Sequence, residues 1–186
     1  SSLMPTIRGA LSEASTVTLY YDSSCTTPKS AATANTAFVT PGIATTANVN
    51  SNSTTTIYGK AVDAAGNESV CETLVGSYTH DGIGPSVTNV TSSQSNGSYK
   101  VTAAQVIPIS VTFSENITVT GTPTLTLETG TTDAVATYAS GSGTSTLVFN
   151  YIVFAGDTAA DLDYVSTSAL ALNGGTMADA VGNNAT

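Results

Sequence analysis

Oxygen-bearing side chains suited to a divalent cation gather at turn sequences in this chain. Asp63-Ala64-Ala65-Gly66-Asn67 and Asp179-Ala180-Val181-Gly182-Asn183 repeat one phrase 116 positions apart, and Asp81 lies in a Gly/Pro-containing stretch between them. Calcium takes about six to eight oxygen ligands from carboxylates, amides and backbone carbonyls. Asp63, Asn67, Asp81, Asp179 and Asn183 therefore form one candidate calcium set, and Asp157, Asp161 and Asp163 a second. The same residue types also close turns without metal. An Asp oxygen accepts backbone amides just ahead of it, Gly takes positive φ and Asn tolerates the left-handed region. Both readings stand on the sequence alone, and no EF-hand spacing is present.

Other reactive residues are few. Cys25 and Cys71 fall in the same half of the chain beside expected turns, which suits an intradomain disulfide and an oxidising compartment; the alternative is a pair of buried thiols. Lys60 and Lys100 lie in or beside β segments, where a buried Lys next to Asn and a carboxylate can form an isopeptide crosslink. The single histidine, His80, has only a sequence-adjacent Asp81 beside it. Gly141-Ser142-Gly143 sets its serine one place early for a nucleophile elbow, and phosphate-loop and His-based zinc motifs are absent. Asp161 and Asp163 resemble a glycosidase pair only in spacing, because Trp is absent and no other aromatic platform for a sugar is evident. The chain reads as a non-enzyme.

The elements that must position these residues are strands. Val17, Leu19 and Tyr21 alternate on one face of Thr16–Tyr21, and Thr55–Val62 is β-rich up to the first repeated turn. Ile107, Ile109, Val111 and Phe113 form the cleanest alternation. Leu125 and Leu127, then Leu147, Phe149, Tyr151 and Val153, point inward in the same way. Short alternating runs bounded by Gly, Pro, Asn and Asp predict an all-β chain of antiparallel sandwiches. One short helical piece is expected at Asp157–Asp161, with Asp157 as N-cap. The pattern breaks at Tyr78–Pro85, where Gly82, Gly84 and Pro85 interrupt any ladder. This places one module at residues 1–80, a linker at 81–85 and a second module at 86–186.

Composition narrows the class of work. Four basic residues stand against 13 acidic ones, for a net charge of −9, the opposite of the cationic footprint that nucleic acid or an anionic membrane surface demands. Charged residues are only 9% of the chain, so hydroxyls supply most of its polarity, as in secreted and surface-displayed bacterial β proteins. No apolar run approaches the roughly 18 residues a spanning helix needs, and no signal-peptide pattern opens the chain.

Several runs resemble bacterial immunoglobulin-like repeat modules of large extracellular adhesins and surface fibres. In the first half they are Thr16–Cys25, the Thr56–Cys71 stretch with its Asp-Ala-Ala-Gly-Asn turn, and Asp81–Pro85. In the second they are Phe113-Ser114-Glu115, Gly121-Thr122-Pro123-Thr124-Leu125, Ser140-Gly141-Ser142-Gly143-Thr144, Gly156-Asp157, Asp161-Leu162-Asp163-Tyr164 and Ala169–Thr176. The resemblance implies two tandem Ig-like antiparallel β-sandwich modules, extracellular or on a bacterial cell surface, often with calcium near the joints. In that topology the second repeated turn, with Asp179 and Asn183, falls near the joint holding Asp81.

Two departures from the family pattern bear on assembly. Modules of this kind continue past the second turn into a final alternating strand, whereas the sequence stops at Asn184-Ala185-Thr186. Either the chain is cut there, or a neighbouring chain lends the strand. On the outer face of the strand through Tyr151, Val148, Ile152 and Phe154 replace hydroxylated residues, an apolar stripe suited to an interface or to a loop folding back. The resemblance, taken with these departures, implies a structural or adhesive segment of a bacterial surface fibre, acting as a spacer or self-assembling subunit. Its partners are then other copies or neighbouring modules. The second reading is a lectin-like or receptor-binding tip module recognising a cell-surface glycan or protein, for which Tyr20, Tyr21 and Tyr58 supply a patch.

Overall fold

The computed structural model describes residues 2–95, 97–99 and 105–186. The chain forms two compact units, Ser1–Ile83 and Gly84–Thr186. Apart from one five-residue helix, every described element is a strand, and every strand pair is antiparallel.

In the first unit a four-stranded sheet has the order β3-β2-β5-β6, with β2 at Ser15–Tyr20, β3 at Thr33–Ala34, β5 at Thr54–Asp63 and β6 at Glu72–Thr79. Its inner face presents Val17, Leu19 and Ile57. A two-stranded ribbon of β1 (Thr6–Ile7) and β4 (Ile43–Ala44) adds Ile7 and Ile43, and Phe38 comes from α1 (Asn35–Val39). No side chain caps α1; the buried Phe38 ring holds that turn against Gly9, where any Cβ would collide with it. The Cys25–Cys71 disulfide is present, with Cα atoms 5.8 Å apart. It ties the turn after β2 to the residue preceding β6. Asp22 builds that turn: its carboxylate accepts the backbone amides of Thr26 and Thr27 and the Thr26 hydroxyl.

The second unit is organised by β8 (Val106–Thr120). Ile107, Ile109, Val111, Phe113 and Ile117 alternate inward along it. Its first part lies between β7 (Val87–Ser92) and β11 (Thr144–Ile152), and its last part pairs with β14 (Thr176–Ala178). Beyond β11 the sheet continues through β10 (Ala134–Ser140) and β9 (Thr124–Glu128). Two short strands, β12 (Asp163–Tyr164) and β13 (Leu170–Ala171), both pair with β9. The inward Leu125, Leu127, Leu147, Phe149 and Tyr151 complete one continuous core with Met177. The inner faces read from sequence periodicity are those observed, with Val153 half-buried at the margin.

The expected helix at Asp157–Asp161 does not form. The Asp157 carboxylate accepts the Phe154 amide at 2.8 Å and the Tyr151 hydroxyl at 2.7 Å, so it closes a reversal after β11 and is not free to cap a following turn of helix. The residues read as a linker divide between the units. His80, Gly82 and Ser53 are joined with Asn52 in one hydrogen-bonded corner of the first unit. In the second unit Thr186 donates to the Pro85 carbonyl, and Gly84 packs where a Cβ would strike the Asn184 carbonyl.

Candidate functional site

The two repeated turns have the same hydrogen bonds atom for atom. In the first, Asp63 Oδ1 accepts the amides of Ala65 and Asn67, each at 2.8 Å, while Oδ2 accepts Asn67 Nδ2 at 2.7 Å. In the second, Asp179 Oδ1 accepts Val181 at 2.9 Å and Asn183 at 2.8 Å, and Oδ2 accepts Asn183 Nδ2 at 2.7 Å. The backbone agrees: Asp63 and Asp179 each donate to the Asn four residues on at 3.0 Å, and Gly66 and Gly182 take φ of 90° and 91°. The returning chain pairs identically as well, through Val62 with Glu68 and Ala178 with Asn184. The Asx-capping reading of these residues is therefore realised in both units.

Their surroundings differ. Asp63 sits at the surface, where the Asn67 side-chain and backbone amides, with those of Ala65 and Gly66, hold its carboxyl below the ordinary carboxylate range. Asp179 is only 6% exposed. Burial pushes its carboxyl up, but the amides of Asn183, Val181 and Gly182 outweigh that and leave it below the usual range, hence ionised at neutral pH. A Glu115 oxygen lies within 4.8 Å of it. Glu115 stands between Phe113 and Ile117 in the inward-facing series of β8, where an apolar residue is expected. That break in an otherwise apolar period is the sequence signal that would have singled it out. The two acids lie close to where the chain enters the second unit, since Ser114 donates its amide to the Ser86 carbonyl and Thr186 donates to Pro85. Such a carboxylate pair favours a cation beside it.

Asp81 lies in the last residues of the first unit, and its carboxylate accepts the Ile83 amide at 3.2 Å. His80, 7% exposed, is a structural residue whose Nδ1 accepts the Asn52 amide at 3.1 Å. Asp157, Asp161 and Asp163 line one cleft without converging on a point: Asp157 is taken up by Tyr151 and Phe154, and Asp163 accepts its neighbour's amide. Burial first, and then the Asp157 carboxylate, push the Tyr151 hydroxyl well above the usual phenol value.

Of the three tyrosines read as a patch, Tyr20 is 8% exposed and unavailable, because the Pro28 segment bridges to it. Tyr21 and Tyr58 do line a common groove of about 580 Å3 with Asn48, Asn50 and Thr54. Lys60 is partly exposed and ion-paired with Glu68 at 2.5 Å, which is not the buried setting an isopeptide needs; Lys100 lies outside the described residues. In the apolar stripe, Ile152 and Phe154 are 41% and 59% exposed while Val148 is half-buried, and Val106 joins them as the cross-strand partner of Ile152.

Comparison with protein-family models, with curated proteins and with solved structures found no match. Among the described residues no helix is long and apolar enough to cross a membrane.

Proposed function

We propose that the chain is a non-catalytic structural and adhesive segment of a bacterial cell-surface or extracellular fibre, built of two tandem Ig-like β-sandwich modules. It acts as a spacer or as a self-assembling subunit. The observation that carries this reading is the duplicated turn, identical in its hydrogen bonds, in each of two consecutive all-β units. Repetition of one structural unit along a chain is how extended architectures are made. The disulfide and the low-charge, hydroxyl-rich composition support an extracellular setting. Calcium is the cofactor proposed for this fibre, with Asp179 and the adjacent Glu115 as its carboxylates in the second unit. Its removal should lower the melting temperature of that unit alone if the pair holds the ion.

The receptor-binding reading has one observation in its favour, the shared groove of Tyr21 and Tyr58. A glycan array and a cell-binding assay with the purified chain separate the two. A spacer retains no glycan and no receptor. Saturable binding that Tyr58→Ala abolishes without unfolding the chain would replace the spacer with a tip module.

A further inference from the structure

The groove shared by Tyr21 and Tyr58 is lined only by residues of the first unit. The turn after β2 supplies Tyr21, Asp22 and Lys29, and the facing segments supply Asn48, Asn50 and the start of β5. Its backbone is pinned from several sides. The Cys25–Cys71 disulfide holds the turn, and Asp22 spends both carboxylate oxygens on the Thr26 and Thr27 amides. The Tyr21 hydroxyl donates to the Ala47 carbonyl at 2.7 Å, and the Thr46 amide donates to the Lys29 carbonyl at 2.6 Å. These two bonds tie the turn to the segment that carries Asn48 and Asn50.

The polar ends of the lining side chains are less fully used. The Asn48 and Asn50 amides and the Tyr58 hydroxyl have no hydrogen-bond partner among the described residues. Thr55 also lines the groove, and its Oγ1 is buried and unpaired, a costly state for a hydroxyl unless a ligand or a water completes it. Lys29 stands apart from the other cations of its unit. Arg8 donates to the Pro41 carbonyl and Lys60 is ion-paired with Glu68, whereas Lys29 has neither kind of partner among the described residues and lies over the Tyr21 ring, 5.8 Å from its centroid. Asp22 is the one acidic residue of the groove, and it is bound into its own turn without an ion pair to Lys29.

A pinned backbone carrying unspent polar ends is the pattern of a site whose ordering cost is met before the ligand arrives. The Lys29 ammonium and the two Asn amides are donors that select an acceptor-rich ligand, and the Tyr58 ring adds an apolar face with a polar tip. We propose, resting on the receptor-binding reading of this groove, that it takes an acidic saccharide. The sugar ring lies against Tyr58, its carboxylate meets the Lys29 ammonium and its hydroxyls meet Asn48 and Asn50. The first unit has six acidic residues against three basic ones, so its overall field does not draw an anion in. The preference arises at the Lys29 contact itself, where a charge-assisted hydrogen bond is stronger than a neutral one. A neutral sugar keeps the ring and hydroxyl contacts and loses only that one.

The test uses the intact chain and three probes: methyl glucuronide, methyl glucoside and propionate. Amide NMR locates and titrates binding. The glucuronide should give saturable shifts at Lys29, Asn48, Asn50 and Tyr58 and bind about tenfold more tightly than the glucoside, the ratio one charge-assisted contact provides. Propionate, which lacks the ring, should bind more weakly than the glucuronide by at least about tenfold. Lys29→Gln should bring the glucuronide down to the level of the glucoside without lowering the melting temperature. If neither sugar gives saturable shifts in the groove, the receptor-binding reading falls and the acidic ligand falls with it. If the two sugars bind alike to the unmodified chain, or the folded Lys29→Gln chain keeps the preference, the acidic ligand is overturned and the groove stands as a neutral-saccharide site. Propionate matching the glucuronide overturns the proposal as well, because the ring then contributes nothing.

Discussion

Asp63 and Asp179 close the same turn with the same bonds, yet only Asp179 is buried, and a Glu115 oxygen lies within 4.8 Å of it. The five-residue phrase therefore specifies backbone geometry, and what the turn can do beyond that comes from the strands around it. The units differ in the same sense on a larger scale. Among the described residues the first gathers six buried apolar side chains into its core and the second fourteen. A small core is marginal without covalent help, and the disulfide lies in the unit with the smaller core. Second-unit cohesion rests on packing along β8 and β11.

Reduction should produce the largest contrast. Cys25 and Cys71 are separated by 46 residues, for which the chain-entropy relation gives about 4 kcal/mol, a large part of the stability of a small domain. Two calorimetric transitions are expected for the oxidised chain, and only the first-unit transition should collapse with reductant. A reduced chain with both transitions in place would show that the first core is self-sufficient.

The converse perturbation is Leu147→Ala. Leu147 is fully buried in the second core, and truncation there should cost about 3 kcal/mol through lost burial and a residual cavity. The second-unit transition should fall while the first, with its disulfide, stays where it was. A shift of both would mean that the units do not melt independently.

Much of this arrangement was legible because alternation is a local signal. Ile107, Ile109, Val111 and Phe113 declared the face of β8, and Leu147, Phe149 and Tyr151 that of β11. The turns were legible for the same reason: Asp, Gly and Asn act within five residues. What escaped depends on contacts distant in sequence. Strands of two or three residues, such as β1, β4 and β13, are too short to show a period and exist because a partner strand pairs with them. The α1 turn has no side-chain cap and only one buried residue, Phe38; hydrogen bonds from Asn35 to the Glu13 carbonyl and from Gly42 to the Ala37 carbonyl help to hold it. The expected helix at Asp157 failed because its carboxylate was captured by residues preceding it. Glu115 left one local mark, the break in the apolar period of β8, but its nearness to Asp179 depends on a contact between residues far apart in sequence.

The shared turn also predicts a graded response to acid. Both carboxyls sit below their unfolded values, so the stability they contribute is present above the unfolded pKa and is lost as pH falls through the folded one. Both units should therefore weaken only below about pH 4, the ordinary Asp range. Asp179→Ala should lower the melting temperature of its unit more than Asp63→Ala does, because it empties a buried site and removes part-buried bonds to the Val181 and Asn183 amides, whereas the corresponding bonds of Asp63 are exposed to water. Equal shifts from the two substitutions would indicate that burial around Asp179 adds nothing to the turn.

The smallest effect on stability is expected at the apolar stripe, where a change in association should appear without a change in folding. Ile152 is 41% exposed and faces Val106 across the β11–β8 pair. Thr keeps the β-branched shape that suits a strand, so Ile152→Thr should alter stability by no more than about 0.5 kcal/mol. If copies of the chain associate through this face, removing the Ile side chain should move the association midpoint in sedimentation velocity to higher concentration. The second unit carries seven acidic residues and Lys100 as its only basic one. Self-contact is therefore opposed by like charge and should strengthen as salt screens it, which separates apolar association from ion pairing, since ion pairing weakens with salt. An Ile152→Thr chain that associates like the unmodified one at every salt concentration would remove the stripe from the assembly and leave Ile152 and Phe154 as ordinary exposed apolar residues.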